Sequence, residues 1–372
     1  MDFELSPEQM QLREEVRQFA KTEAKSLSPE FEEKSLFPQE LHFKIGRKKW
    51  LGPIVPSEYS GMGKGAIEYI IIVEEFFREL LFYNHTSVQQ EKILLLLGTP
   101  EQKAKYLPKL ATEYVAATVI SEPLAGSSFK KLKTFAERRG DFYVINGHKT
   151  HINLAAEADY MGVLVKTHQG LSYLIIEKGT PGIRFEKLDP LSARSSPMYE
   201  IYFEDCQIPA NQLIGQEGQG LEAFFASFNL SRIGNAAMFN GLARGSLERA
   251  IRYAQHREVG DRYVTDFQGI RWMLAELVSE LEASALLMYK AAWAADQGKE
   301  HALTGSMAKL FAGHTAESII SKTFSLVGAN ACYRSAPFEH YWREIKGLQI
   351  GGGSPEVQKN IVADLFLKNW QL

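Results

Sequence analysis

The chain has 372 residues, 45% of them hydrophobic and 23% charged, enough to bury a sizeable core and to build two or three domains or subdomains. Its 42 Lys and Arg against 45 Asp and Glu leave a formal net charge of -3, which offers no broad basic surface to a phosphate backbone and argues against a nucleic-acid partner. Two cysteines, Cys206 and Cys332, stand far apart and outside any CxxC or Cys/His cluster; a disulfide framework and a structural zinc site are excluded, no metal is expected, and a reducing cytoplasm is the expected location.

The acidic start, MDFELSPEQM, lacks the basic region of a targeting signal. The greasiest runs, IIIV at 70–73 and ILLLL at 93–97, fall far short of the roughly 20 residues that span a bilayer, so a soluble chain without a membrane span is expected. Ser6-Pro7-Glu8-Gln9 and Thr99-Pro100-Glu101-Gln102 each place a hydroxyl at N-cap, proline at N1 and glutamine at N3, which marks two helix starts. Between them, residues 68–83 carry Ile71, Ile72, Phe76 and Leu80 at helical spacing, with Glu74, Glu75 and Arg78 on another face. Residues 1–115 therefore read as a helical domain.

The texture changes near 116. DFYVING, MGVLVKT, LSYLIIEKG and YEIYFEDCQI are short β-rich runs separated by Gly, Pro and polar residues, and they predict a small all-β domain over 116–215. Long helices return over 216–372. The clearest spans 268–297, where Ile270, Met273, Leu274, Leu277, Val278, Leu281, Leu286 and Tyr289 form the expected apolar stripe; a helix that long usually sits in a bundle and often buries a second face against another subunit.

Three blocks in this order resemble the acyl-CoA dehydrogenase family: VISEPLAGSS at 119–128, FYVINGHKTHINLAAEAD at 142–159 and YFEDCQIPANQLIGQEGQG at 202–220. The resemblance implies an α+β multi-domain fold, with an N-terminal helical domain, a middle β-barrel-like domain and a C-terminal four-helix bundle. It also implies FAD as cofactor and an acyl thioester of CoA or of an acyl carrier protein as substrate. An electron-transfer flavoprotein is the suggested electron acceptor, and a homodimer, a homotetramer or a heteromer with a related subunit the assembly. In that family a carboxylate removes the α-proton of the thioester while the β-hydride leaves to the flavin. The α-proton is only weakly acidic, so the carbonyl must be polarised by hydrogen bonds while a positioned base takes the proton.

Carried over residue by residue, the resemblance assigns Ile120, Ser121, Ser127, His151, Asn153, Arg257, Gln268, Gly328, Ser354 and Glu356 to the cofactor. It assigns Ser127, Phe228 and Arg232 to the substrate, and the backbone N–H of Gly352 to the thioester carbonyl. Arg343-Glu344 falls in register with the family's Arg-Asp pair. Plainer readings stand beside several of these. Glu122-Pro123 and Gly126 shape a turn on their own account, Arg257 is a solvated helix-end arginine, and Arg232 is a buried structural ion-pair partner. Ser354 and Pro355 read as N-cap and N1, which makes Glu356 a helix-dipole residue rather than a base.

The departures are as informative. The family's catalytic glutamate stands either in the flavin loop, where this chain has Gly352, or on the first bundle helix, where it has Ser231. Neither bears a carboxylate, and ordinary α,β-dehydrogenation is expected to be weak unless another group substitutes. His151 replaces the tryptophan that packs near the flavin, Gly260-Asp261 replaces a Phe-Gly pair, and Ser325 and Ala329 replace a Gln and a Gly. Glu91 and His85, in the segment whose family equivalent lines the acyl cavity, are candidate bases for a carbon beyond Cα, on a cyclic or already unsaturated acid; solvated helix polarity is the plain reading of both. Two alternatives stay open: a catalytically degenerate subunit of a heteromer, and another flavin reaction on the same scaffold.

Overall fold

The computed structural model describes residues 4–26 and 30–369. Helices α1 (Pro7–Ser26), α2 (Glu30–Glu33), α3 (Gln39–Arg47), α4 (Ala66–Arg78), α5 (Thr86–Leu97) and α6 (Pro100–Thr112) come first. Strands β1 (Ala116–Val119), β2 (Phe135–Arg139), β3 (Phe142–Asn153), β4 (Tyr160–Thr167), β5 (Gly170–Glu177), β6 (Ile183–Leu188), β7 (Met198–Pro209) and β8 (Leu213–Ile214) follow. The rest is helical, α7 (Gly220–His256), α8 (Gln268–Asp296), α9 (Ala302–Val327), α10 (Pro337–Leu348) and α11 (Pro355–Asn369), except for a hairpin of β9 (Glu258–Val259) and β10 (Arg262–Tyr263). The helical, sheet-containing and helical thirds expected from the sequence are present in that order. No helix among the described residues is long and apolar enough to cross a membrane.

Spatially the chain divides into two compact units that cut across this order. One comprises the described residues of Ser28–Gly65 and Asn84–Ser231; the other comprises those of Met1–Leu27, Ala66–Tyr83 and Arg232–Leu372.

The first unit holds the eight-stranded sheet, with path β6-β7-β3-β2-β4-β5-β8 and β1 pairing parallel to β4. Alternation along the strands divides its side chains between two cores. Met161, Val163 and Val165 of β4 and Leu174 and Ile176 of β5 join Ile145, Ile201 and Phe203 in one. Tyr160, Leu164, Tyr173 and Ile175 face the other way, onto Ile93 and Leu94 of α5 and Tyr106 and Leu110 of α6. Burial on both faces explains why MGVLVKT and LSYLIIEKG read as continuous apolar runs. β2 and β6, with their charged sequences FAERR and IRFEKL, escaped the sequence reading. At α6 the predicted start is realised as a capping box: Gln102 N–H donates to Thr99 Oγ1 (3.2 Å) and Thr99 N–H to Gln102 Oε1 (3.0 Å).

In the second unit, α4 is buried on all sides. Ile70, Ile71, Ile72, Val73 and Phe76 have no exposure, and the face with Glu74, Glu75 and Arg78 is equally enclosed. There Arg17 donates to Glu75 through Nε (3.0 Å) and Nη2 (2.8 Å), Arg78 Nη2 reaches Glu248 (2.6 Å), and Arg244 Nε reaches Glu74 (2.9 Å). The helix stops at Arg78, short of the predicted end. Leu81 N–H donates to Phe76 O and Leu80 N–H to Phe77 O, a Schellman closure in which Leu80 takes φ +57°. On α8 the buried stripe is Leu277, Leu281, Ala285, Met288 and Ala292, whereas Val278 and Leu286, expected within it, are about half exposed. The packed line thus mixes Leu277, Leu281 and Met288 with small alanines, while Val278 and Leu286 point outward.

Candidate functional site

In the sheet-bearing unit, the segment after β1 is fixed by a buried lysine. Lys149, fully buried on β3, donates through Nζ to Ile120 O (2.9 Å) and Leu164 O (2.7 Å) and lies 3.0 Å from Glu122 Oε1. Glu122 also accepts from the backbone N–H of Lys133 (2.6 Å) and Thr134 (3.0 Å). Burial pushes the Lys149 amine down to about 8. Burial raises Glu122 too, but the Lys149 charge and the hydrogen bonds outweigh it and hold the carboxyl below its ordinary value. Both groups are therefore charged near neutrality. Thr150 N–H takes Ser121 O (3.0 Å), so Ile120 and Ser121 are pinned through their carbonyls while the half-buried Ser121 hydroxyl makes no hydrogen bond among the described residues. Ser127 is exposed beyond the Glu122–Ala125 turn.

His151 sits where the β3–β7 register shifts, with φ +57°, exposed, its Nδ1 3.1 Å from Thr150 Oγ1. An irregularity of this kind re-aims side chains out of the pleat. Half-buried Asn153 instead donates to Ser196 O (2.8 Å). Phe228 stacks on Phe224 at 4.7 Å between centroids, and Phe129 meets Phe224 edge-on.

On α5, Gln90 donates to Thr118 Oγ1 (2.6 Å) and Tyr173 Oη (3.0 Å), and Thr118 donates to Gln89 (3.2 Å). Glu91, next in sequence, is fully buried, and neither carboxylate oxygen has a hydrogen-bond partner among the described residues. Burial alone holds its pKa well above the ordinary carboxylate range. The solvated-charge reading of Glu91 is therefore incorrect. His85 is partly buried just before the helix.

In the helical unit, Arg257, Gln268 and Gly328 are exposed. Arg257 follows the end of α7, and Gly260 (φ +68°) with Asp261 makes the two-residue turn of the β9–β10 hairpin. Arg343 pairs with Glu339, one turn back on α10 (2.7 Å). Arg232 is buried, and burial lowers its guanidinium to about 10. Ser354 and Pro355 begin α11 as expected, and Glu356 is held ionised by its own backbone N–H and by Ser354. Gly352 has φ +66°, and a Cβ there would lie 2.2 Å from Asn235 Nδ2. Any side chain at this position would therefore be both strained and crowded.

Lysines 149 and 309, Asn235 and Gln358 were not singled out from the sequence. Lys309 had a readable signal: it stands in line with Gly305, Ala312 and Ala316, a buried stripe of small residues on α9.

The residues fit FAD. A free hydroxyl at Ser121, an exposed serine at 127 and a guanidinium at 257 with no hydrogen bond among the described residues offer donors to a flavin ring and an anionic pyrophosphate. The class that the comparisons define is a flavin-dependent oxidoreductase. The chain belongs to the acyl-CoA dehydrogenase family: the family's N-terminal, middle and C-terminal domain models match residues 6–114, 117–206 and 218–367. It is 34% identical to the short-chain specific acyl-CoA dehydrogenase of Clostridium acetobutylicum, over 98% of this chain and 99% of that one. It is 32% identical to the cyclohex-1-ene-1-carbonyl-CoA dehydrogenase of Geobacter metallireducens, with the same coverage. A solved glutaryl-CoA dehydrogenase of Mycobacterium smegmatis, in complex with FADH2, matches with a TM-score of 0.90 at 25% identity, covering 99% of this chain and 96% of that one. The protein is a flavoenzyme that uses FAD and acts on the CH–CH bonds of acyl thioesters.

Proposed function

We propose that this chain dehydrogenates an acyl thioester with Glu91 as its base, at a carbon beyond Cα of a cyclic or already unsaturated acid. The observation that carries the reading is the Glu91 carboxyl, fully buried with both oxygens unspent. A carboxyl in such a place is costly and is a strong base once ionised. Ser231 and Gly352, at the family's two base positions, have nothing to accept a proton. The substrate for which the Geobacter relative is named, a cyclohexene thioester, is of this class.

In this reading the Gly352 N–H donates to the thioester carbonyl and acidifies the carbons conjugated with it. Glu91 takes the proton. Ser127, Phe228 and Arg232 line the acyl-carrier path, Ile120, Ser121, Ser127, His151 and Asn153 hold the flavin ring, and Arg257, Gln268, Gly328, Ser354 and Glu356 hold the rest of the dinucleotide. Bound FAD supplies the acceptor for the hydride. CoA or a carrier protein bears the acyl group, an electron-transfer flavoprotein re-oxidises the enzyme, and the work is done in the cytoplasm. The chain divides functionally at 1–115, 116–215 and 216–372. Trp272, Leu286 and Trp293, 63%, 45% and 48% exposed at seven-residue multiples along α8, support an assembly of two or four copies through this face.

The test is anaerobic flavin reduction by cyclohex-1-ene-1-carbonyl-CoA. Wild type is expected to bleach, and Glu91→Gln to slow bleaching by about 100-fold to 10,000-fold. An unchanged rate in the variant removes Glu91 from the mechanism. A second reading, a degenerate subunit of a heteromer, is favoured by the same two missing carboxylates; it requires a colourless homomer, whereas the proposal requires a yellow one.

A further inference from the structure

The loop Gly351–Gly353 is held from behind by a buried cation. Lys309 on α9 is 2% exposed, and its Nζ donates to Gly351 O (2.6 Å) and Gly353 O (2.5 Å). Gln358 of α11 adds Nε2 donations to Gly353 O (2.9 Å) and, more weakly, Gly352 O (3.4 Å). All three loop carbonyls thus face donors. In a trans peptide the N–H points opposite to the C=O of the same plane. The amides of Gly352, Gly353 and Ser354 are therefore turned the other way, and none of them donates a hydrogen bond among the described residues. Gly352 and Gly353 reach this arrangement with φ of +66° and +86°. Successive amides freed in this manner form a concavity for negative charge.

We propose that Lys309 is the positioning residue for carbonyl activation: by binding the Gly351 and Gly353 carbonyls it aims the Gly352 amide outward and polarises it as a donor to the thioester oxygen. This rests on the reading that Gly352 N–H takes that oxygen. A cation on the carbonyl end of a peptide draws electron density from its nitrogen and strengthens the N–H as a donor, the cooperative effect of chained hydrogen bonds. A neutral side chain of equal length would leave the loop without its rear anchor.

The charge on Lys309 is itself poised. Burial and then the Arg232 guanidinium push its amine down to about 7, and no carboxylate acts on it. Of the side chains around it, Arg232 from α7 and His314 from its own helix are titratable, whereas Asn235, Gln349 and Gln358 are neutral amides. The ammonium is present below about pH 7 and is lost as the pH rises through it, so carbonyl polarisation weakens in the same direction.

The experiment is isotope-edited infrared difference spectroscopy of butyryl-CoA carrying carbon-13 at its thioester carbonyl, bound to the FAD-loaded enzyme between pH 6 and 9. Wild type is expected to show the carbonyl stretch displaced downward at low pH, with the displacement shrinking through about pH 7. Lys309→Met, folded and yellow, is expected to lose the displacement at every pH. A displacement in Lys309→Met equal to that of wild type overturns the inference and leaves the role of Gly352 intact. An undisplaced stretch in wild type overturns both. If Lys309→Met does not fold, the wild-type titration decides, and a displacement constant from pH 6 to 9 overturns the inference.

Discussion

Glu91 illustrates what a single side chain discloses only in three dimensions. Its helix reads TSVQQEKILLLL, without a clean apolar period, so the sequence left a base and a solvated charge as alternatives. Full burial without a partner raises the pKa of the carboxyl in the fold, while it ionises normally in the unfolded chain. The folded pKa is the higher one. Stability is therefore whole below the ordinary carboxylate value and declines as the pH rises above it, by at most about 1.4 kcal/mol per pH unit. Glu91→Gln is expected to match wild type in urea denaturation at pH 4 and to exceed it at pH 8; an equal or lower stability at pH 8 contradicts the burial argument. Arg257 is legible in the opposite way, because its YAQHR setting matches the family and its exposure on the helical unit leaves the guanidinium available. Arg257→Ala is expected to weaken FAD by about 1.5–3 kcal/mol, roughly ten- to a hundred-fold in Kd, in a fluorescence titration of apoprotein. Unchanged affinity removes it from the cofactor site.

Elements were legible where one physical signal dominates. The Thr99 box, the Ser354-Pro355 start and the β3, β4, β5 and β7 runs all follow local rules that tertiary contacts do not override. The errors came where long-range contacts decide. Glu74, Glu75 and Arg78 were rightly set on a separate face of α4, but nothing local announces that arginines from α1 and α7 bury that face. On α8 the sequence stripe was right at Leu277 and Leu281 but took in the exposed Val278 and Leu286 and passed over the buried Ala285, Ala291 and Ala292, which only the helix's neighbours decide. The Lys149–Glu122 pair was invisible for the same reason: its worth lies in joining β3 to a segment 27 positions earlier, the difference of the two residue numbers. Lys149→Met leaves Glu122 charged, buried and short of a donor, and a loss of about 3–5 kcal/mol is expected in urea denaturation, with flavin content falling in parallel. A loss below about 1 kcal/mol contradicts the ion-pair account.

At the scale of the molecule, the three-part family order is plain in the sequence, whereas the compact units are not, because α1 and α4 fold with the C-terminal helices and α5 and α6 with the sheet. For assembly, the length of the 268–297 helix already suggested a second face against another subunit, and the outward Trp272 and Trp293 identify the face to test. Replacing both with Asp is expected to reduce the mass found by light scattering to that of a smaller species; a wild-type monomer contradicts the assembly. The central claim is that this flavoenzyme has given up the family's base positions. It is tested most directly by anaerobic flavin bleaching with butyryl-CoA in wild type and in Ser231→Glu, which places a carboxylate on α7 without the positive-φ backbone strain of Gly352. Butyryl-CoA is expected to bind wild type yet bleach it very slowly, and Ser231→Glu to bleach about 100-fold to 10,000-fold faster. Brisk bleaching of wild type would contradict the claim, since a base for the ordinary α-proton would then be in place.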